Sequence, residues 1–313
     1  MNKKNLFGVF IALTLACVFS GCGKSQNHVE PVKSIKQEVT STALTMERPT
    51  SSIPISTVFI DPQAFNATNA LKPFALKGSP IDGVVNHHVL AADILAQFFK
   101  TIKTTRPDFE TFIIISPDRF SRGRGVSTHG LTYVTPAGDA VVRKRWVFEL
   151  GKIGVWDGTD KRAFENEHGV GALVPFIERE YPQAKILPLF LRADVKLDQA
   201  KQIGEALAKL SDEKTFVVVS SDMSHGLKEF DAAQRDVETL QWLRNGNWDR
   251  LTSATDKNTD SAVGFAVLHA YLQKKLPLGK GGQGGFLLLS HKQSTDYVAD
   301  PTNVTTYISG VWE

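Results

Sequence analysis

The chain has 313 residues, 42% of them hydrophobic and 22% charged, a composition typical of a globular protein with a substantial core. Its formal net charge is only +3, and basic and acidic residues are interspersed, which argues against a nucleic-acid partner. Both cysteines, Cys17 and Cys22, lie near the amino terminus, which excludes thiol chemistry from the rest of the chain. A metal in the main domain would need imidazole and carboxylate ligands, which suit iron, manganese, copper or zinc.

The first 22 residues resemble a bacterial lipoprotein signal. A basic start, Met1–Asn5, precedes the apolar run Leu6–Phe19, and small residues lead directly into Cys22. The resemblance to a lipobox implies cleavage before Cys22 and lipidation of that cysteine. The mature protein would then be anchored to a membrane of the cell envelope, with its body outside the cytoplasm. A short transmembrane anchor or an ordinary secretory signal is the alternative, although the run is short for a membrane span.

Residues 23–56 are rich in Ser, Thr, Lys, Gln and Pro and have no sustained apolar period, which predicts a disordered or extended tether. The remaining residues, 57–313, predict one α/β domain in which strand patterns alternate with helix patterns. Polar residues cluster after these strands, which is where open α/β sheets bind their ligands.

The first strong strand pattern, Ile81–Asn86, ends at His87 and His88, and apolar residues at helical spacing follow from Val89. The N-terminus of a helix disfavours the imidazolium form, so both histidines are candidates for a ligand or a base. Capping the helix or packing against the sheet is the alternative for each.

The next strand pattern, Phe112–Ile115, ends in Ser116–Phe120 and a loop rich in Gly and Arg, 121–125. That loop lacks the Gly-Lys-Ser/Thr ending of a phosphate loop, so a bend near the site is favoured. A hairpin with a Pro/Gly turn is predicted over 131–142, at a margin of the sheet. His129, just before the hairpin, is expected at the surface.

Two further segments carry ionisable residues. Glu165–His168 precedes a short helix pattern, so its acids could cap the helix, or His168 could serve as an acid/base or substrate contact. The β-branched run Thr215–Ser220 predicts a strand covered on both faces, and Asp222 and His225 follow it directly.

Asp260 lies in an N-cap pattern before a helix that begins at Ala262, a role compatible with a carboxylate that points into a cleft. The strand and helix patterns together predict a mostly parallel or mixed sheet flanked by helices, with one site at the strand ends. The predicted site comprises His87, His88, His168, Asp222, His225 and Asp260.

In this order the motifs resemble the Memo family, and most closely its prokaryotic branch, called AmmeMemoRadiSam system protein B. The motifs that carry the resemblance are Gly83–His88, Ile115–Phe120, Glu165–His168, Pro175–Phe176, Ile186–Pro188, Ser220–His225, Asp260–Ser261 and Ser294–Tyr297. The resemblance implies a fold similar to the class III extradiol dioxygenases, whose non-haem iron is held by two histidines and a carboxylate. The name of the branch implies AMMECR-type and radical SAM proteins as partners.

The resemblance also implies that His87 and Asp260 occupy metal-ligand positions and that His168, Asp222 and His225 line the same cleft. We expect the metal ligands to be His87, His225 and Asp260 with His88 as a possible addition, and the catalytic residues to be His168, Asp222 and Arg119. Iron or copper is the expected cofactor.

The chain departs from the family at two points. Where family members have a second ligand histidine, this chain has Arg119, and the family's His-Ser-Ile-Glu becomes His168–Gly171. A fixed positive charge within about 4 Å of a cation costs several kcal/mol at an effective dielectric constant of 20. Either His88 or His225 replaces the missing ligand with Arg119 turned away, or the site binds an anion instead of a metal.

Two functions follow from this pattern. One is a metal-dependent oxidoreductase acting on an unknown small molecule or peptide. The alternative is a lipid-anchored binding module that has lost catalysis, in which Arg119 and the histidines receive an anionic ligand or peptide. A serine hydrolase has little support, because Ser220 and Ser221 do not lie in a Gly-x-Ser-x-Gly motif.

Overall fold

The computed structural model describes residues 54–57, 60–158, 164–275 and 285–313. The predicted signal segment with Cys22 and the predicted tether up to residue 53 lie outside the described residues. Within the described ranges, no helix is both long enough and apolar enough to cross a membrane. The last tether residues form a short strand, Ile55–Ser56, so the folded domain begins slightly earlier than the sequence predicts.

Strands and helices alternate along the described chain. The strands are β1 (Ile55–Ser56), β2 (Asp82–Val85), β3 (Thr111–Pro117), β4 (Val126–Thr128), β5 (Tyr133–Thr135), β6 (Gly138–Val142), β7 (Trp156–Asp157), β8 (Lys185–Leu191), β9 (Thr215–Ser220), β10 (Phe286–Gln293) and β11 (Thr306–Trp312). The α-helices are α1 (Pro62–Ala67), α2 (Ala92–Thr105), α3 (Lys144–Gly151), α4 (His168–Gly171), α5 (Val174–Glu180), α6 (Leu197–Leu210), α7 (Glu229–Arg244), α8 (Trp248–Thr252) and α9 (Ala262–Lys275).

The strands form one mixed sheet in the order β1-β5-β6-β8-β3-β9-β2-β11-β10, with β4 and β7 joined to it through β8. The central strands β8, β3, β9 and β2 run parallel, whereas β11 and β10 are antiparallel additions. Every residue of β9 is buried, as its run of β-branched residues predicts for a strand covered on both faces. The predicted α/β fold with a mixed sheet flanked by helices is confirmed.

Helices cover both faces of the sheet. On one face, Gly83 of β2 lies against Phe98 of α2, and a side chain at position 83 would collide with that ring. On the other face, α9 packs over β3 and β9, and α6 packs against α9. Gly204 permits this second contact, because a Cβ there would collide with the carbonyl oxygen of Val267. The core therefore lies in two layers, one on each side of the parallel strands.

The predicted hairpin is formed by β5 and β6 and lies toward one margin of the sheet, as expected. Beyond it, β1 pairs in parallel with β5 and is the outermost strand on this side. Ile55 of β1 is buried, so this short strand contributes to the core as well as to the sheet.

His129 is buried, and the prediction of a surface position is wrong. Its ring packs among Tyr133, Phe164 and Phe190, with ring centroids 4.6 to 5.8 Å apart. Nδ1 accepts a hydrogen bond from the amide of Leu131, so Nε2 carries the proton and donates to the Tyr133 hydroxyl at 2.9 Å. Both ring nitrogens are satisfied in the neutral form, and burial lowers the pKa of His129 to about 3.

Acid is expected to destabilise the fold through His129. In the unfolded chain the ring of His129 takes up a proton near pH 6.5, whereas in the folded chain it does so only near pH 3. The stability that depends on a neutral His129 is therefore complete above pH 6.5 and declines as the pH falls. Between pH 6.5 and 5 the loss amounts to about 2 kcal/mol. The His129→Phe variant should lose correspondingly less unfolding free energy over that interval in urea denaturation. Equal losses in the two proteins would contradict this linkage.

Candidate metal centre

The polar residues that end the parallel strands meet at the carboxyl edge of the sheet. His87 follows β2, Arg119 follows β3, and Asp222 and His225 follow β9. Asp260 joins them from the segment before α9, and its backbone amide donates to the carbonyl of Asp222 at 3.2 Å. The predicted convergence at the strand ends is therefore present in the structure.

Three of these residues present ligand atoms to a common point. Nε2 of His87 lies 3.7 Å from Oδ2 of Asp222 and 3.3 Å from Oδ2 of Asp260, and the three ligand atoms lie within 4.8 Å of one another. All three side chains are buried or nearly so. His87 Nε2 and Asp260 Oδ2 have no hydrogen-bond partner among the described residues. Buried ligand atoms that converge in this way without hydrogen-bond partners fit a bound cation.

Hydrogen bonds fix the orientation of His87. Ser220, the last residue of β9, donates its single hydroxyl proton to the carbonyl of Gly169. Its oxygen lies 3.0 Å from Nδ1 of His87 and must therefore accept from that nitrogen. When the ring is neutral, the free electron pair thus resides on Nε2, the nitrogen that faces the two carboxylates.

Each aspartate uses one oxygen within the protein and directs the other into the centre. Oδ1 of Asp222 accepts the backbone N–H of His87 at 3.0 Å, and Oδ1 of Asp260 lies 3.1 Å from the hydroxyl of Ser221. Oδ2 of both carboxylates remains directed at His87 Nε2. This pattern orients the carboxylates without consuming the atoms that would bind a metal.

Opposite charges balance in the centre. Burial alone would lower the pKa of His87, but the carboxylates of Asp222 and Asp260 outweigh it and raise this pKa to about 9. Burial alone would raise the pKa of Asp260, but His87, His225 and Arg119 hold it below its usual value. At neutral pH, protonated His87 thus faces the ionised carboxylate of Asp260.

Arg119 points into the centre, so the arrangement in which Arg119 turns away and His88 or His225 replaces the missing ligand is not the one observed. Its Nη2 lies 3.1 Å from Nε2 of His225 and 3.9 Å from Oδ2 of Asp260. A guanidinium can only donate, so His225 accepts with Nε2 and carries its own proton on Nδ1. The electron pair of His225 that a metal would need is therefore engaged by Arg119.

His168 forms part of an aromatic wall beside His87. The two rings meet edge to face with centroids 5.1 Å apart, and Phe120 approaches His168 in the same way at 6.2 Å. Burial, followed by the charges of His87 and Arg119, lowers the pKa of His168 to about 4. Glu167 is the residue that caps α4, because its side chain accepts the N–H of Gly169. The capping alternative raised by the sequence is thus present at Glu167, whereas an acid/base or substrate role of His168 stays a prediction.

His88 is turned toward another partner. Its Nδ1 lies 2.6 Å from the hydroxyl of Tyr307 on β11, and burial is the main cause that lowers its pKa. Its backbone N–H approaches Oδ1 of Asp222 at 3.4 Å. His88 therefore lines the centre through its backbone, and its ring is not among the atoms that converge there.

Sequence reasoning missed two contributors to the centre. The sequence suggests at most a nucleophile at Ser220, whereas this residue orients His87. It suggests a cap at Glu167, and burial also raises the pKa of this residue to about 7 despite the hydrogen bond from Gly169. The position of Ser220 at the end of a fully buried strand was the available signal for the first; no local signal indicated the second.

The fold and the centre define an α/β protein in which two parallel strands deliver His87 and Asp222, and the segment before α9 delivers Asp260, to one buried polar cluster. The chain belongs to the Memo family: the family profile described as Memo-like protein matches residues 84–311. That range contains every residue of the centre described above.

Curated relatives agree with this family membership. A MEMO1 family protein of Caldivirga maquilingensis is 28% identical over 224 residues, which cover 69% of this chain and 75% of the relative. Another, from Thermoplasma acidophilum, is 25% identical over 242 residues, which cover 75% of this chain and 86% of the relative. Among solved structures, an uncharacterized protein from Escherichia coli K12 has 14% identity and a TM-score of 0.44, covering 73% of this chain and 98% of that one.

Proposed function

We propose that this Memo-like protein binds one transition-metal ion at His87, Asp222 and Asp260 and acts as a metal-dependent oxidoreductase with a non-haem, dioxygenase-like site. The convergence of three buried ligand atoms within 4.8 Å carries this proposal. One imidazole nitrogen and two carboxylate oxygens suit iron and can also hold copper. Either ion would supply one-electron chemistry to a small molecule or peptide.

The proposed roles differ in part from those implied by the family resemblance. Asp222 becomes a ligand instead of a proton carrier, because its Oδ2 faces His87 Nε2. His225 becomes the partner of Arg119. His168 remains the candidate for proton transfer because its ring borders that of His87, with centroids 5.1 Å apart. Its pKa of about 4 keeps the ring neutral at neutral pH and makes it a weak base.

Metal reconstitution of the full chain tests the first part of the proposal. The protein is first stripped with a chelator and then reloaded with Fe(II) or Cu(II). It should retain one ion per chain and show a higher melting temperature, since at a ligand concentration 100 times Kd the free energy of unfolding rises by about 2.7 kcal/mol. The Asp256→Asn variant is a matched control, because Asp256 is exposed and lies four residues before Asp260. No retained ion and an unchanged melting temperature would reject the metal centre.

The redox part needs a separate measurement. The loaded protein should consume oxygen in the presence of ascorbate, and the His168→Gln variant should do so more slowly while retaining its metal. A protein that binds the ion but does not cycle it between oxidation states would be a metal-binding protein without this activity.

The second candidate function is a binding module for an anionic ligand or peptide. It is favoured by the guanidinium of Arg119 in the centre and by the raised pKa of His87, which supplies a second cation. A thermal-shift comparison of simple carboxylates, phosphate and metal ions separates the two candidates. Stabilisation by metal ions alone would exclude the binding module.

We further propose that the protein is a lipoprotein of the cell envelope. The pattern of residues 1–22 supports this anchor. The motifs described above separately support placement in the AmmeMemoRadiSam system protein B branch, with AMMECR-type and radical SAM proteins as partners. Cells given a palmitate analogue should label the wild type and not the Cys22→Ser variant. Absence of label on both would reject the anchor.

A further inference from the structure

Two residues of the centre lie on a segment without regular structure. Residues 221–225, which follow β9, carry both Asp222 and His225. A ligand on such a segment is positioned only as well as the segment is held, and displacements of even 1 Å weaken a metal site. The contacts that hold this segment therefore bear directly on the centre.

The backbone of the segment is joined to β11 through Thr306. The amide of Met223 donates to the carbonyl of Thr306 at 2.9 Å, and the amide of Thr306 donates to the carbonyl of Ser224 at 3.0 Å. The amide of Ser224 donates to the Thr306 hydroxyl oxygen, also at 3.0 Å. These three bonds place the segment against one residue of β11, which lies on the far side of β2 from β9.

Both hydroxyl protons of this junction go to one buried carboxylate. Because the Thr306 oxygen accepts from the Ser224 amide, its proton is free to donate to Oδ1 of Asp236 at 2.7 Å. Ser224 donates its own hydroxyl proton to the same oxygen at 3.0 Å. Oδ2 of Asp236 lies 2.6 Å from Nε2 of His291 on β10. Asp236, on α7, thus connects three separate parts of the fold.

We propose that Asp236 is a positioning residue that fixes the segment carrying Asp222 and His225, and that it thereby sets the metal affinity of the centre. Asp236 is fully buried, and a buried carboxylate costs free energy that an apolar side chain at the same place would avoid. Three charge-assisted hydrogen bonds offset this cost, and two of them end on the residues that hold the segment.

Asp236→Leu and Asp236→Asn separate this role from general stability. The asparagine oxygen can still accept from Ser224 and Thr306, whereas leucine can accept nothing. In the full chain, Asp236→Leu should raise the Kd for Fe(II) or Cu(II) by 10- to 100-fold, the usual effect of losing a group that orients metal ligands, and Asp236→Asn by only a few-fold. Ser224→Ala, a smaller change, should give an intermediate loss if Asp236→Leu does not fold.

Asp82→Asn provides a control of equal burial. Asp82 lies at the other end of β2, is fully buried, and neither of its carboxylate oxygens has a hydrogen-bond partner among the described residues. This variant should change the melting temperature without changing Kd. Equal effects of Asp82→Asn and Asp236→Leu on Kd, or wild-type affinity in both Asp236→Leu and Ser224→Ala, would overturn the proposal.

The affinity measurement rests on the proposed metal centre, and a second readout does not. Hydrogen exchange of the Met223 and Ser224 amides in the metal-free protein should accelerate at least tenfold in Asp236→Leu and in Ser224→Ala, and remain unchanged in Asp82→Asn. If the wild type binds no metal, the metal centre fails while exchange still decides the role of Asp236. Unchanged exchange at both amides would reject that role.

Discussion

Replacing Asp260 by asparagine is expected to lower the affinity for Fe(II) or Cu(II) by at least about 100-fold. Its carboxylate is nearly buried, and Oδ2 lies 3.3 Å from His87 Nε2 without a hydrogen bond of its own. Asparagine keeps the shape and removes the negative charge. The loss of one ligand charge from a divalent ion is worth at least about 3 kcal/mol even at an effective dielectric constant of 20.

Competition with a chromogenic chelator, performed on the full chain, measures this change directly. Asp256→Asn again serves as the control for an exposed aspartate of the same region and should bind like the wild type. Circular dichroism establishes that each variant is folded. Wild-type affinity in Asp260→Asn would mean that the ion is bound somewhere other than this centre.

Replacing Arg119 by glutamine is expected to raise metal affinity by about 100-fold. Nη2 of Arg119 lies 3.9 Å from Oδ2 of Asp260, so its charge would oppose a cation bound there. Two such charges, one single and one double, repel by about 5 kcal/mol at a separation of about 6 Å and an effective dielectric constant of 20, and solvent at this partly exposed side chain reduces that figure. The change also releases Nε2 of His225, which Arg119 engages at 3.1 Å. Both effects favour the metal, so the variant should bind more tightly than the natural protein.

Arg119→His extends the same experiment. A histidine there would remove the charge and could add an imidazole ligand, so its affinity should equal or exceed that of Arg119→Gln. Arg122→Gln is the matched control, since Arg122 stacks on the ring of Phe120 and changing it should leave affinity unaltered. Weaker binding in Arg119→Gln would show that the guanidinium supports the geometry of the centre instead of competing with the ion.

The sheet and the convergence of the site were predictable because both follow from local patterns. Apolar runs such as Thr215–Ser220 report burial on both faces, and parallel strands bring the residues after them to one edge. His87, Asp222 and Asp260 could therefore be placed together although they are far apart in the chain. The hairpin formed by β5 and β6 was equally accessible, because its turn residues are local.

The details of the centre depended on packing that no local pattern reports. Whether Arg119 turns toward or away from His225 is decided by side chains from two different strand ends. His129 resembles a surface histidine in sequence and becomes buried because Phe164 and Phe190, distant in the chain, enclose it. The strand Ile55–Ser56 forms by pairing in parallel with β5, a contact between segments far apart in the chain.

The two outer strands of the sheet also bear on how the protein avoids associating with itself. Along the described chain, one side of the sheet ends in β1, which at two residues is too short to recruit a strand from another molecule. The other side ends in β10, where the register shifts between Leu288 and Ser290 and the strand carries His291 and Lys292. A break in register and the charged side chain of Lys292 discourage edge-to-edge pairing, so both margins are protected against aggregation by different means.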